Sequence, residues 1–353
     1  MPNDIMKIDH IINQYKLSQP QQQLFLQTTA VGLVVVTNRG MTCWAFNQWS
    51  EPLWTLQPTQ ANTSVYAFYP FYTASGTKIA FVTGAGQLYL INSQGLLHYQ
   101  QTVIHQAIWH VTGGWLGQRP VLFASCTDHT IRVFDLEGQS LGQFVTPGPI
   151  LSLAVASVRG RIKLAGGMQG RSHVYLWDWQ TMVERQNATP EMVLSGGTMP
   201  AFAVLFDPRP QYSGLWQSCG DGNVYFYDLS AQARPHSLSP TFTLPGHSPV
   251  YPLLLTTLDH ITCLLMGTES GEIVACDVDQ GGPHARQGWI VARLRRRVKC
   301  LTLARVGGQD YLVAGGLGGQ VHLWQMGEGH AAAAVTVLDT HAEEVRGVAM
   351  ILL

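Results

Sequence analysis

Two stretches decide how this chain is read: Cys126-Thr127-Asp128-His129-Thr130-Ile131-Arg132-Val133-Phe134-Asp135 and Cys219-Gly220-Asp221-Gly222-Asn223-Val224-Tyr225-Phe226-Tyr227-Asp228. In each, an apolar run ends in a tight turn built on Asp. A second run, β-branched and aromatic, then closes on an aromatic and an acid. His173-Val174-Tyr175-Leu176-Trp177-Asp178 closes the same way. Strand-forming runs cut by Gly/Asp turns are a hairpin signature. Units of this kind return about every 43 to 50 residues along the chain. A period of that length belongs to a repeat architecture rather than to two unrelated domains, which the length of 353 residues alone would suggest.

Working outward, seven units line up. Their later strands begin near Met41, Gln87, Thr130, Ser172, Asn223, Glu272 and Gln320. Each is preceded by an apolar run, such as Leu33-Val34-Val35-Val36 or Ile261-Thr262-Cys263-Leu264-Leu265. Six units also carry an earlier strand with an apolar-x-x-apolar core: Val65 and Phe68, Ile108 and Val111, Ile150 and Leu153, Phe202 and Leu205, Val250 and Leu253, Val298 and Leu301. The first unit lacks one. Val345-Arg346-Gly347-Val348-Ala349-Met350 fits the same template and stands alone at the end of the sequence. The simplest topology places it innermost in the first unit, closing a ring and removing a bare sheet edge. The alternative uses Leu24-Phe25-Leu26-Gln27 there and leaves the last strand to start an eighth unit.

Across roughly residues 24–353 the pattern resembles the WD40 repeat family. The resemblance implies an all-β, seven-bladed WD40-like β-propeller closed by the C-terminal strand in the first blade. It also implies a buried hydrogen-bonded set of His, Ser or Thr, Asp and Trp in each blade. That set is worn here. His105, Ser125 and Asp128 match, but Phe134 stands in place of Trp. Asp221 matches with Tyr227 in place of Trp, and Trp177 (followed by Asp178) and Trp324 match without the rest. Gly246-His247 reproduces the family's Gly-His dipeptide. Closure would bring His341, Asn38 and Trp44 into the first blade's set. These residues are expected to be structural.

The composition suits many short buried strands: 46% hydrophobic residues with 36 Gly. Only 12% of residues are charged, where about 25% is usual. The net charge of −1 points to neither nucleic acid nor membrane as a partner for the whole molecule. The six cysteines include no Cys-x-x-Cys and fall in or beside apolar runs, as buried free thiols of a reducing compartment do. No signal-peptide pattern and no apolar run of membrane-spanning length is visible, so an intracellular protein is expected. Residues 1–23 form a separate polar segment in which Ile5, Ile8, Ile12 and Tyr15 recur at helical spacing. A short amphipathic helix and a frayed tail are the two readings of it.

Catalytic and metal-binding patterns are missing from the sequence. The thirteen His residues include no His-Glu-x-x-His and no Cys/His cluster of zinc spacing. There is no Gly-x-Ser-x-Gly elbow and no phosphate loop opening a helix. Gly315-Gly316-Leu317-Gly318-Gly319 joins two strands of one hairpin and reads as a turn. Asp135, Asp178, Asp228 and Asp277 recur at equivalent positions, so each serves its own blade. No catalytic residue, metal or cofactor is assigned, and a non-enzymatic role is expected.

Two features stand out. In Arg293-Leu294-Arg295-Arg296-Arg297-Val298-Lys299, five of the chain's 21 Lys and Arg residues fall within seven positions. In the repeat frame this segment links blade six to blade seven on the top face. The second feature is the residue after the first anchor of each inner strand: Tyr66, Trp109, Leu151, Ala203, Tyr251, Lys299 and Arg346. Those positions ring the mouth of a propeller's channel. Aromatic and Arg residues there suit an interface, while packing between blades is the competing reading. The expected function is a scaffold or adaptor that docks a protein or peptide segment, acidic or phosphorylated, as a subunit of a larger complex. Its partner-binding residues would be Tyr66, Trp109, Tyr251, Arg293, Arg295, Arg296, Arg297, Lys299 and Arg346. The second reading is a nucleic-acid-associated subunit touching phosphates through the basic loop. The third, a propeller enzyme or small-molecule binder, would need a polar cluster or metal in the channel. No membrane partner is expected.

Overall fold

The computed structural model describes residues 31–58, 63–73, 76–117, 119–185, 188–207, 209, 213–229, 240–258, 261–278, 288–327 and 332–353. The polar segment 1–23, the alternative strand at 24–27 and most of the connections at 230–240 and 280–289 lie outside them. Seven four-stranded antiparallel sheets form a seven-bladed β-propeller. Six innermost strands are Val65–Thr73, Ile108–Leu116, Ile150–Val158, Ala201–Phe206, Val250–Leu258 and Val298–Val306. The seventh is Val345–Leu352, which runs antiparallel to Val31–Thr37 from Val31↔Leu352 to Thr37↔Val345. The last strand therefore completes the first blade, as the sequence pattern predicts.

The second strand of each blade is sandwiched between neighbouring sheets. It is buried on both faces and so reads as a continuous apolar run rather than an alternating one. Val31–Thr37 is buried at all seven positions, and Leu33, Val34, Val35 and Val36 are fully covered. The hydrophobic core is divided among the spaces between blades. Val82, Leu88 and Leu90 of blade two, for instance, pack with Ile108, Val111 and Leu122 of blade three. The closing strand serves two such layers. Val345, Val348 and Met350 pack toward Val313 and Leu323 of blade seven, while Ala349 and Ile351 pack toward Val65 and Ile79 of blade two. All six cysteines are buried and unbridged.

In blades three and four the acid that closes the third strand binds cations on the adjoining strand. Asp135 pairs with Arg119, and Asp178 accepts from Arg161 (2.7 Å) and lies 2.9 Å from Lys163 Nζ. Asp178 Oδ1 also accepts the Thr181 N–H (2.8 Å) at the start of a short helix, α1 (Trp179–Arg185), inside the long connection of blade four. Trp177 is fully buried and donates Nε1–H to the Ala188 carbonyl of that connection (2.9 Å).

Candidate docking face

The top face is built by one recurring backbone irregularity. Every innermost strand pairs regularly with its neighbour except near its start, where one extra residue is inserted. Val65 pairs with Thr83 and Ala67 with Val82, leaving Tyr66 unpaired. The same shift isolates Trp109, Leu151, Lys299 and Arg346. In blade six Tyr251 and Pro252 share the one position opposite Gly267. A bulge of this kind re-aims a side chain. The residue before it (Val65, Ile108, Ile150, Ala201, Val250, Val298 or Val345) is buried, and the bulged residue is half-exposed.

Blade five corrects the sequence reading by one residue. Ala201 pairs with Cys219 and is buried, Ala203 pairs with Ser218, and Phe202 is the bulged residue. Phe202 therefore stands on the rim in place of Ala203.

The rim side chains bind one another across blade boundaries. Tyr66 stacks on Trp109, with ring centroids 5.5 Å apart and planes at 24°. Phe202 stacks on Tyr251 at 4.7 Å and 20°. Arg346 lies 4.8 Å above the Tyr66 ring and donates to the Val65 carbonyl (2.9 Å) and to Glu344 (3.0 Å). Lys299 pairs with the same Glu344. Arg297 lies 4.6 Å above the Tyr251 ring and donates to Glu269 (2.6 Å), which also accepts the Tyr251 hydroxyl (2.6 Å). An arc of alternating rings and ion pairs thus runs from blade three through blades two, one, seven and six to blade five. Stacked rings and cation–π contacts contribute roughly 0.5–1.5 kcal/mol each, so the arc is held in place before anything binds. The Trp109 indole nitrogen is buried with no acceptor among the described residues.

The electrostatics follow from these pairings. The Arg297 hydrogen bond holds the Glu269 carboxyl below its ordinary range against the cost of burial, with help from the Tyr251 hydroxyl. Burial also works against ionising Glu344, but hydrogen bonds from Lys299 and Arg346 outweigh it, and its carboxyl too sits below the ordinary range. Both acids are ionised at neutral pH. Arg293 pairs with Glu272 (3.1 Å). The basic cluster is therefore largely neutralised. Arg295 and Arg296, both exposed, have no ion-pair partner among the described residues. They border a depression of about 300 Å³ between blades six and seven, whose other walls include Leu294, Gly318, Gln320 and His322.

The residues matched to the four-residue polar set do not assemble into it. Asp128 accepts from Thr130 and Arg132, Ser125 Oγ has no partner among the described residues, and His105 is exposed. Asp221 accepts the Thr198 N–H (3.1 Å). In blade five a Tyr–Gln pair occupies the interior instead: Tyr227 donates to Gln217 (2.8 Å), whose amide reaches the Ser172 carbonyl (2.8 Å). Blade two repeats the pairing with Tyr89 and Gln87 (2.6 Å). His247 acts through its backbone. It turns at φ 51° against Gly222, where a Cβ would come within 2.6 Å of the His247 carbonyl carbon. His341 is exposed and hydrogen-bonds Asp339 through its N–H (2.8 Å), while Asn38 donates its backbone N–H to the Glu344 carbonyl (3.3 Å). Trp44 is buried in the layer with Val345 and Met350, and Trp324 stacks on His322 at 5.4 Å.

Glu269, Glu344 and His322 belong to this face and are not singled out by the sequence reading, which names Phe202 only as a buried anchor. Glu344 directly precedes a buried anchor, which is the one local signal for it. No protein-family model matches the chain. Nor does any curated protein sequence. Among the described residues no three His, Cys, Asp or Glu side chains converge as a metal site would require, and no helix is long and apolar enough to cross a membrane.

Proposed function

We infer that the chain is a WD40-type scaffold that does no chemistry of its own and docks a protein segment across the top rim. The observation carrying this reading is the ring of bulges, which turns a large aromatic or cationic residue outward in six of seven blades: Tyr66, Trp109, Phe202, Tyr251, Lys299 and Arg346. Aromatic rings and cations are the residue types that anchor interfaces. Their mutual stacking leaves few rotamers to be frozen on binding, which reduces the entropic cost of association. The neutralised charge suits a protein segment better than a nucleic-acid backbone, which is held by many unpaired cations.

The test is affinity purification of the tagged full chain from its native cell, with and without nuclease. It is run beside a Trp109→Ala/Tyr251→Ala variant and beside Arg305→Ala, which lies on the opposite end of blade seven. Nuclease-resistant partners lost from the rim variant and retained by Arg305→Ala are expected. The same partners on all three proteins, or partners released by nuclease, would overturn the reading.

A further inference from the structure

The loop between blades six and seven holds its four central residues in two different ways. Leu294 is buried and donates its N–H to the Gly271 carbonyl (2.8 Å). The Arg297 carbonyl accepts from Leu317 (3.2 Å), and the Arg297 side chain is committed to Glu269. Between these fixed points Arg295 and Arg296 project without acidic partners among the described residues. The facing wall is equally fixed, since Gly318 (φ 95°) donates its N–H to the Glu343 carbonyl (2.8 Å). The space between measures about 300 Å³ and also meets Gln320 and His322. That is the lower end of the range for small-ligand sites.

On this geometry we propose that the depression between blades six and seven binds the phosphate monoester of a phosphorylated residue in the docked segment, with Arg295 and Arg296 as its principal ligands and His322 and Gln320 beside them. The proposal rests on the top face being the docking face. Two guanidinium forks offer more donors than one carboxylate can accept, and they match a group with three terminal oxygens. Within this loop the unpaired positive charge is confined to Arg295 and Arg296, which favours one dianion over a phosphodiester chain. The neighbouring cations Arg293, Arg297, Lys299 and Arg346 are bound to glutamates and offer no continuous track.

The surroundings of His322 agree with this assignment. Burial, and then the Arg295 charge, hold its imidazole below its ordinary pKa, so it is neutral and can donate one N–H. The ring stacks on Trp324, and His322 pairs across the sheet with Ala314 and Val337, while Asp339 stands opposite Gln320. Asp339 accepts the His341 N–H. A bound dianion would reverse the influence of Arg295 and raise the His322 pKa.

The experiment uses the full chain labelled at histidine, with inorganic phosphate and phenyl phosphate as probes and sodium chloride at matched ionic strength as control. His322 resonances are followed by NMR. Saturable shifts with both phosphates, a rise of the His322 pKa, and affinity weakened roughly tenfold or more by Arg295→Gln/Arg296→Gln are expected. The substituted side chains are exposed, and unchanged circular dichroism would confirm that the variant folds. Equal responses to phosphate and chloride, or an unaltered titration of the variant, would overturn the proposal. So would tighter, steeply salt-dependent binding of a single-stranded oligonucleotide than of phenyl phosphate. Loss of partners from the Trp109→Ala/Tyr251→Ala variant, with no response at His322, would leave the docking reading standing and remove the anion site alone.

Discussion

Removing residues 345–353 should abolish cooperative folding of the ring. The deleted strand carries Val345 and Ile351 at 0% exposure, with Met350 at 5% and Val348 at 6%. Burying each such side chain stabilises by roughly 1.5–3 kcal/mol, so the four together contribute on the order of 6–12 kcal/mol, an upper bound because the unfolded chain buries some of this surface already. The loss would also leave Val31–Thr37, buried throughout, with a row of unpaired backbone groups. A domain's whole stability is only about 5–15 kcal/mol, so the deletion removes a comparable quantity. A milder variant gives a graded reading: Ile351→Ala should cost about 2–5 kcal/mol. Val337→Ala, at a half-exposed site on the outer strand of blade seven, should stay within about 0.5 kcal/mol. Urea denaturation followed by tryptophan fluorescence and far-ultraviolet circular dichroism reads all three against the parent. Midpoints for the deletion and for Ile351→Ala equal to the parent's would refute the closure energetics.

Other outcomes follow from the same geometry. Trp109→Ala removes a rim anchor and forfeits its stack on Tyr66, about 0.5–1.5 kcal/mol beyond the area the ring buries; thermal unfolding beside partner capture reads both effects. The depressed carboxyls of Glu269 and Glu344 contribute stability that is present above the ordinary glutamate value of 4.5 and is lost as pH falls through their lower folded values. The fall in melting temperature below that pH should accordingly be shallower in Glu344→Gln, whose melting temperature at neutral pH should already be lower. Burial pushes the thiols of Cys43, Cys126, Cys219, Cys276 and Cys300 up to about 12. A thiol reagent should therefore leave these five untouched in the folded protein and reach all six cysteines in guanidinium, a count read directly by mass spectrometry. His110, held neutral by burial with a pKa of about 4, should show no titration between pH 6 and 8 by NMR.

The blades were legible because each strand announces itself locally. Six of the seven expected starts of the third strands coincide with the structure, and the seventh is His173 rather than Ser172. The rim was harder to read. In Ala201-Phe202-Ala203 the larger apolar residue was the natural anchor, yet the bulge places the small Ala201 inside and turns Phe202 out. Hydropathy alone does not report a backbone irregularity. The basic loop was visible as composition, but its neutralisation was not. Arg297 and Glu269 are 28 residues apart, and Glu344 reaches back to Lys299 from the far side of blade seven. The polar set failed for a related reason: Tyr–Gln pairs occupy the interior of blades two and five, and only in blade five does tyrosine in place of tryptophan leave a trace of it.

The first blade is assembled from strands about 300 residues apart. At a ribosome producing roughly 5–20 residues per second, Val31–Thr37 emerges some 15–60 seconds before Val345–Leu352. Six sheets can pair as they are made, while the first waits with one edge of the Val31–Thr37 strand unpaired. The ring is thus sealed only after the other strands have left the ribosome, and the interval exposes a sticky edge that a chaperone, or premature pairing with another chain, would have to fill.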